Sequence, residues 1–236
     1  MIPLLFASED AHALPCRPTI ACTADIVPAG DIEVESGFAS RQARTGFSFT
    51  TPVLAKYSAT DRVQLQLGSN LLTALRTDVH STYLDNVVGT LKMHLVDQSK
   101  AVPAIALSAG VGIPTFRATG YTRTFDALFL GYVTKDVGPI HLDLNLGANA
   151  LQLDLHDVMQ GMVALAASVA FTETFGMMLE SYGFSDASAR NPRDAGFLFA
   201  FTHSPKPWLI FDVGGDASYF PSTRTFTAFV GSTFVR

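Results

Sequence analysis

His141 and Asp143 are the residues of this chain best placed to do chemistry, because a spacing of two on an extended strand puts an imidazole and a carboxylate on one face. Such a base would serve a nucleophilic serine, but no Ser stands with them at that spacing, so a hydrolase is only an alternative reading. With His94 the pair would offer donors to zinc, although without a signature spacing. Cys16 and Cys22 flank Pro18 and have no third or fourth ligand nearby. An oxidising compartment would pair them in a small loop, and a reducing one would leave them idle. No glycine-rich phosphate loop precedes a helix. The sequence assigns no catalytic residue, no metal and no cofactor.

The elements that must carry these residues follow from composition. Of 236 residues, 48% are hydrophobic and only 16% are charged, against ~25% charged in ordinary soluble domains. A helical span needs ~18 or more consecutive apolar residues, and the longest candidate, Met162 to Phe171, is about half that. Helical spans are therefore excluded. What survives is a soluble β-protein with a bland surface, or a closed β-barrel, the other architecture that satisfies every backbone group in lipid. Net charge is −5 and no basic stripe is present, which sets nucleic acid aside as a partner.

From Asp31 onward hydrophobicity alternates with period two. Between Pro139 and Leu151, Ile140, Leu142, Leu144, Leu146, Ala148 and Ala150 take one face and His141, Asp143, Asn145, Gly147 and Asn149 the other. About twelve such strands are predicted: 31–39, 46–57, 62–72, 86–96, 101–113, 124–134, 139–151, 158–171, 174–184, 194–203, 208–218 and 224–235. Segment 158–171 also fits a helix face, and is read as a strand for Gly161, Val169 and Phe171. Short turns at 59–61, 97–100, 135–138, 172–173 and 204–207 alternate with loops at 40–45, 73–85, 114–123, 152–157, 185–193 and 219–223. Short periplasmic turns and longer outer loops are the layout of outer-membrane barrels, with both chain ends on the short-turn rim.

The face opposite the apolar one decides between water and lipid outside. It is mostly Gly, Ser, Thr, Asn, Gln and Ala with scattered ions, which suits a narrow lumen better than a wet surface. The expected lumen-lining set is Glu33, Glu35, Lys56, Lys92, His94, Asp126, His141, Asp143, Asn145, Glu180, Asp212 and Asp216. Carboxylates outnumber ammonium groups there, so an open lumen would favour neutral or cationic solutes. Alternatively the ions pair across the lumen and fill a plugged, structural barrel. Arg41, Arg44, Arg76, Arg117, Arg123, Arg190, Arg193 and Arg224 lie in or beside the long loops, where lipopolysaccharide phosphates would meet them. Aromatic residues gather near strand ends as interfacial girdles: Tyr57, Phe116, Tyr121, Phe125, Tyr132, Phe171, Phe175, Tyr182, Phe184, Trp208, Tyr219, Phe220 and Phe234.

Several stretches carry a family resemblance: the opening VPAGDIEVESGF, the turn-to-strand units SATDRVQLQLG, TKDVGPIHLDLNLG and FTETFGMMLESYGF, PAIALSAGVGIPT, and the closing FTAFVGSTF. Over residues 26–236 the chain resembles the outer-membrane transporters of the meta-pathway phenol-degradation type. The resemblance implies a porin-like protein passing small, often hydrophobic or aromatic molecules. It departs at the end, where Val235-Arg236 follow the last aromatic. Residues 1–30 are expected to form a signal-peptide remnant, with Ala11-His12-Ala13 as a small-x-small cleavage site, and a periplasmic segment. Residues 31–236 are expected to form an all-β, closed antiparallel transmembrane barrel in the bacterial outer membrane. Its partners would be membrane lipid, lipopolysaccharide and a small solute. The sequence sets no oligomeric state.

Overall fold

The computed structural model describes residues 16–44, 46–76, 80–84, 87–113, 126–153, 156–186, 193–220 and 224–236. Thirteen strands follow in order: β1 (Ile32–Ala43), β2 (Gly46–Thr60), β3 (Val63–Arg76), β4 (His80–Tyr83), β5 (Val87–Val96), β6 (Ala104–Ile113), β7 (Asp126–Val137), β8 (Ile140–Leu153), β9 (His156–Ala170), β10 (Phe175–Phe184), β11 (Asp194–Lys206), β12 (Leu209–Ser218) and β13 (Thr225–Val235). Each pairs antiparallel with its neighbours, and β13 pairs back onto β1 from Glu33↔Val235 to Ala43↔Thr225, which closes the sheet. β4 and β5 both pair with β3, one with its far end and one with its near end, so they form a single interrupted stave and the barrel has twelve. Closure gives every strand but β4 a partner on both sides, so the backbone groups of the ring pair within the sheet.

The strands are longer than hydrophobic alternation alone indicates. β1 runs to Ala43, β3 to Arg76 and β8 to Leu153, into segments expected as loops, and β11 runs to Lys206, into an expected short turn. In β1 and β11 the cause is physical: residues 40–43 and 204–206 carry no large apolar side chain, so the alternation stops while the backbone ladder continues. The ambiguous stretch at 158–171 is a strand, paired with β8 and β10 throughout. Pro52, which has no N–H to give the ladder, sits at a register shift in β2. Gly138 turns β7 into β8 with φ of 61°, a conformation that penalises any side chain. Loop 114–123 and Ala11-His12-Ala13 lie outside the described residues, as do Arg117, Arg123, Arg190, Phe116, Tyr121 and Phe125.

The exterior is a belt of large apolar side chains. Leu65, Leu107, Phe129, Leu146, Leu165, Leu179, Phe199, Val213 and Val230, one from each of nine strands, are all about half exposed. A soluble surface does not carry such a contiguous patch; a lipid-facing one requires it. Ring pairs mark both ends of the belt, Trp208–Phe234 and Phe175–His203 at the short-turn rim and Phe197–Tyr219–Phe220 at the other. Phe199→Arg, in the middle of β11, is expected to cost about 2–4 kcal/mol, and Phe171→Arg at the rim about 0–1 kcal/mol. Urea unfolding in lipid vesicles checks this, and equal costs at the two positions would remove lipid from the belt.

Candidate functional site

The interior is not an empty lumen. Residues 16–27 belong to the N-terminal segment that the sequence places outside the strand pattern. They lie inside the barrel and run around its inner wall. The placement follows from their partners, which come from strands on every side of the ring and from the same face of each.

The grip begins at β1, where Cys16 N–H and Arg17 N–H donate to the two carboxylate oxygens of Glu35 at 2.8 and 2.9 Å. Arg17 then reaches Asp212 of β12 at 3.3 Å. Its guanidinium occupies the space that a side chain at Gly37 or Gly231 would fill, since a Cβ on either would stand 2.4–2.6 Å from it. On β10, Glu180 Oε2 accepts from Ile20 N–H at 2.8 Å and Ala21 N–H at 3.1 Å. On β8, Asn145 holds both backbone groups of Cys22, its oxygen accepting from N–H and its amide donating to C=O, each at 2.8 Å. The Thr134 hydroxyl of β7 accepts from Ala24 N–H at 2.6 Å and donates to Asp143 at 2.5 Å. Lys92 of β5 donates to the carbonyls of Thr23 and Asp25 at 2.6 and 2.7 Å, and lies over the Tyr132 ring. His94 places one ring nitrogen 3.0 Å from Ala24 C=O, and Gln64 of β3 accepts from Val27 N–H at 3.0 Å. The chain then passes Gly30, which donates to Ser58 C=O, and enters β1.

Apolar contacts complete the seat. Ala21 packs on Ala164, Ala166 and Tyr182, and Ala24 on Ala104, Ala106 and Tyr132. Inner positions of β6 and β9 are small because a polypeptide lies against them. Below Cys16, Lys56 bonds Glu33 at 2.6 Å and also Glu35, all three nearly inaccessible to solvent. Cys16 and Cys22 are disulfide-linked.

No protein-family model matches the chain, and no curated protein matches it in sequence. Solved structures do. An outer membrane channel from Pseudomonas putida F1 is similar with a TM-score of 0.66 and 10% identity, over 90% of this chain and 98% of that one. The NanC porin gives 0.60 at 8% identity over 86% and 98%, and the KdgM porin 0.56 at 8% over 85% and 98%. The fold is that of an outer-membrane β-barrel.

Within this barrel the residues singled out from sequence divide into three groups. Glu33, Glu35, Lys56, Lys92, His94, Asp143, Asn145, Glu180 and Asp212 are buried in the short-turn half, on or just behind the inner segment. Asp126 and Asp216 stand apart in the other half. Asp126 faces Gly112, and Asp216 accepts from Tyr182 O–H at 2.5 Å and Thr227 O–H at 3.3 Å. His141 lies at the short-turn rim between two carboxylates, Nδ1 2.7 Å from Asp136 and Nε2 3.2 Å from Asp143. Ser168 is its ladder partner across β8 and β9, a neighbour that sequence spacing did not reveal. The Ser168 hydroxyl makes no hydrogen bond among the described residues, whereas an activated nucleophile needs one to its base.

A cavity of 260 Å³ opens at the same rim, with His141, Ser168, Gly176, Met178, Thr202 and Ser204 on its wall. Among the described residues no group of three or more His, Cys, Asp or Glu could hold a metal ion. Outside the strands, Arg62 binds Asp97 through two hydrogen bonds of 2.9 and 2.5 Å. With His94 beside it, that pairing holds the Asp97 carboxyl below the usual range. Arg17, Gln64 and Thr134 escaped the sequence reading, Arg17 because it precedes the strands and the other two because single polar side chains on an inner face carry no motif.

Proposed function

We propose that this protein is a channel of the bacterial outer membrane for small neutral solutes, closed at rest by its own residues 16–27. Short turns face the periplasm on this reading, so the inner segment occupies the periplasmic half. The observation that carries it is how the wall is used. Its charged residues are engaged: Glu33 and Glu35 by Lys56, Asp212 by Arg17, Glu180 by two backbone N–H groups. The cavity at the short-turn rim is instead lined mainly by hydroxyl-bearing and apolar residues, such as Ser168, Thr202, Ser204, Val169, Met178 and Ile210, with His141 and Glu173 beside them. A space of that size holds one small ring or sugar, since a 150 Å³ apolar cavity already takes benzene. Cation preference, expected when the carboxylates were counted as free, gives way to preference for the uncharged.

Two likenesses support the reading. The similar structures are named as a channel and two porins, and the sequence resembles transporters of the meta-pathway phenol-degradation type, which points to hydrophobic or aromatic cargo. At the opposite rim Arg44, Arg76 and Arg224 are exposed and suited to lipopolysaccharide phosphates. Arg41 turns inward, 4.0 Å from Asp194.

The test is liposome uptake of phenol, benzoate and benzyltrimethylammonium, with planar-bilayer conductance, for the full chain and for a variant lacking residues 1–27. Phenol entry favoured over both ions, and faster in the truncated barrel, is the expected result. A truncated, folded barrel that passes nothing would make the protein a structural barrel.

A further inference from the structure

We infer that the Cys16–Cys22 disulfide is the lock of the inner segment, and that its reduction by a dithiol releases the segment and opens the barrel. This rests on the channel reading and adds to it the means of control.

The bond joins grips on opposite walls. Cys16 and Arg17 are held by Glu35 on β1, and Cys22 by Asn145 on β8. In the closed ring of twelve staves, with β4 and β5 counted as one, β8 lies six strand steps from β1 in either direction, which is half-way round. The two cysteine Cα atoms are nevertheless 4.4 Å apart, so side chains from opposite walls converge on one covalent link. The loop between them carries the Arg17 contact to β12 and the Ile20 and Ala21 contacts to β10.

Release differs with and without the link. Joined, the grips on β1, β12, β10 and β8 must all let go together, because any one that opens is held within reach of its partner by the others. Severed, residues 17–21 become a flexible connector, and each grip opens and solvates by itself. The closed loop also limits the conformations open to the released segment, and that restriction is lost on reduction.

The chemistry balances simply. A thiolate of the dithiol attacks one sulfur and the S–S bond breaks. The mixed disulfide is resolved by the second thiol, so that two electrons and two protons pass to Cys16 and Cys22 while the dithiol becomes a disulfide. Cys22 is the less buried of the pair and presents the sulfur to attack. In an oxidising periplasm the locked barrel is the resting form, and a periplasmic dithiol oxidoreductase is the class of partner that would unlock it.

The experiment measures potassium chloride conductance of the full chain in planar bilayers before and after dithiothreitol. Beside it stand the double variant Cys16→Ser/Cys22→Ser and the variant lacking residues 1–27. Wild type should open about 30-fold more often once reduced. The double variant should be open from the start and indifferent to reductant. If the truncated barrel conducts but neither reduction nor the double substitution raises conductance, the lock is overturned and the channel stands. If the truncated barrel, folded by its heat-modifiable mobility, does not conduct, both fall. Should dithiothreitol leave the thiols unlabelled by maleimide, the double variant alone decides between these outcomes.

Discussion

Exchanging Glu180 for Met together with Asn145 for Leu is expected to turn a closed barrel into one that conducts most of the time. The two side chains hold four backbone groups of the inner segment: Ile20 N–H, Ala21 N–H, Cys22 N–H and Cys22 C=O. If the segment stayed in place without them, those groups would be buried unpaired, at about 1–3 kcal/mol each. A total on the order of 4–12 kcal/mol shifts the closed-to-open ratio by a factor of roughly a thousand or more. The barrel itself should keep its fold. Both positions pair through their backbones with β7, β9 and β11, and those ladders are untouched. Removing Glu180 also removes a buried carboxylate oxygen that has no hydrogen-bond partner among the described residues. Conductance of the refolded variant in planar bilayers checks the prediction, and a folded variant as closed as wild type would show that the segment is not the barrier.

The barrel was legible in the sequence because lipid and wall impose opposite demands on alternate residues. Pro139 to Leu151 displays that demand almost without error, and β8 spans Ile140–Leu153. Alternation tells which residues share a face, and it carries no information on what the face touches. Residues 16–27 grip the wall mainly through backbone N–H groups, so their own side chains leave no signature. The signature is written on the wall instead. Ala104, Ala106, Ala164 and Ala166 are small where a lumen would be polar, and Gly37 and Gly231 leave room for Arg17. The same fact explains why 158–171 resembled a helix: Ala164 and Ala166 are apolar on the inner face because Ala21 covers them, which blurs period two. His141 shows the complementary limit. Its partner Asp143 is two residues away and visible, whereas Asp136 and Ser168 stand beside it only through the registers of β7 and β9.

Lys56→Met is the single substitution expected to weaken the barrel most. Lys56 is the ladder partner of Glu33, and Glu35 lies two residues further along the same face of β1. All three are buried, with exposures of 4%, 1% and 0%. Desolvating three charges is unfavourable, and the cation is what makes the two carboxylates tolerable there. Glu35 would keep the N–H groups of Cys16 and Arg17, but Glu33 Oε2 has no hydrogen-bond partner among the described residues, so Glu33 depends on Lys56. Stranding the pair should cost about 3–5 kcal/mol, read as a lower urea midpoint in lipid vesicles. The triple variant Lys56→Met/Glu33→Leu/Glu35→Gln should recover most of that loss, because it strands no charge and keeps an acceptor for the segment. A Lys56→Met barrel that unfolds no earlier than wild type would mean that water reaches Glu33 and Glu35 through the lumen, and that the inner segment does not seal this end.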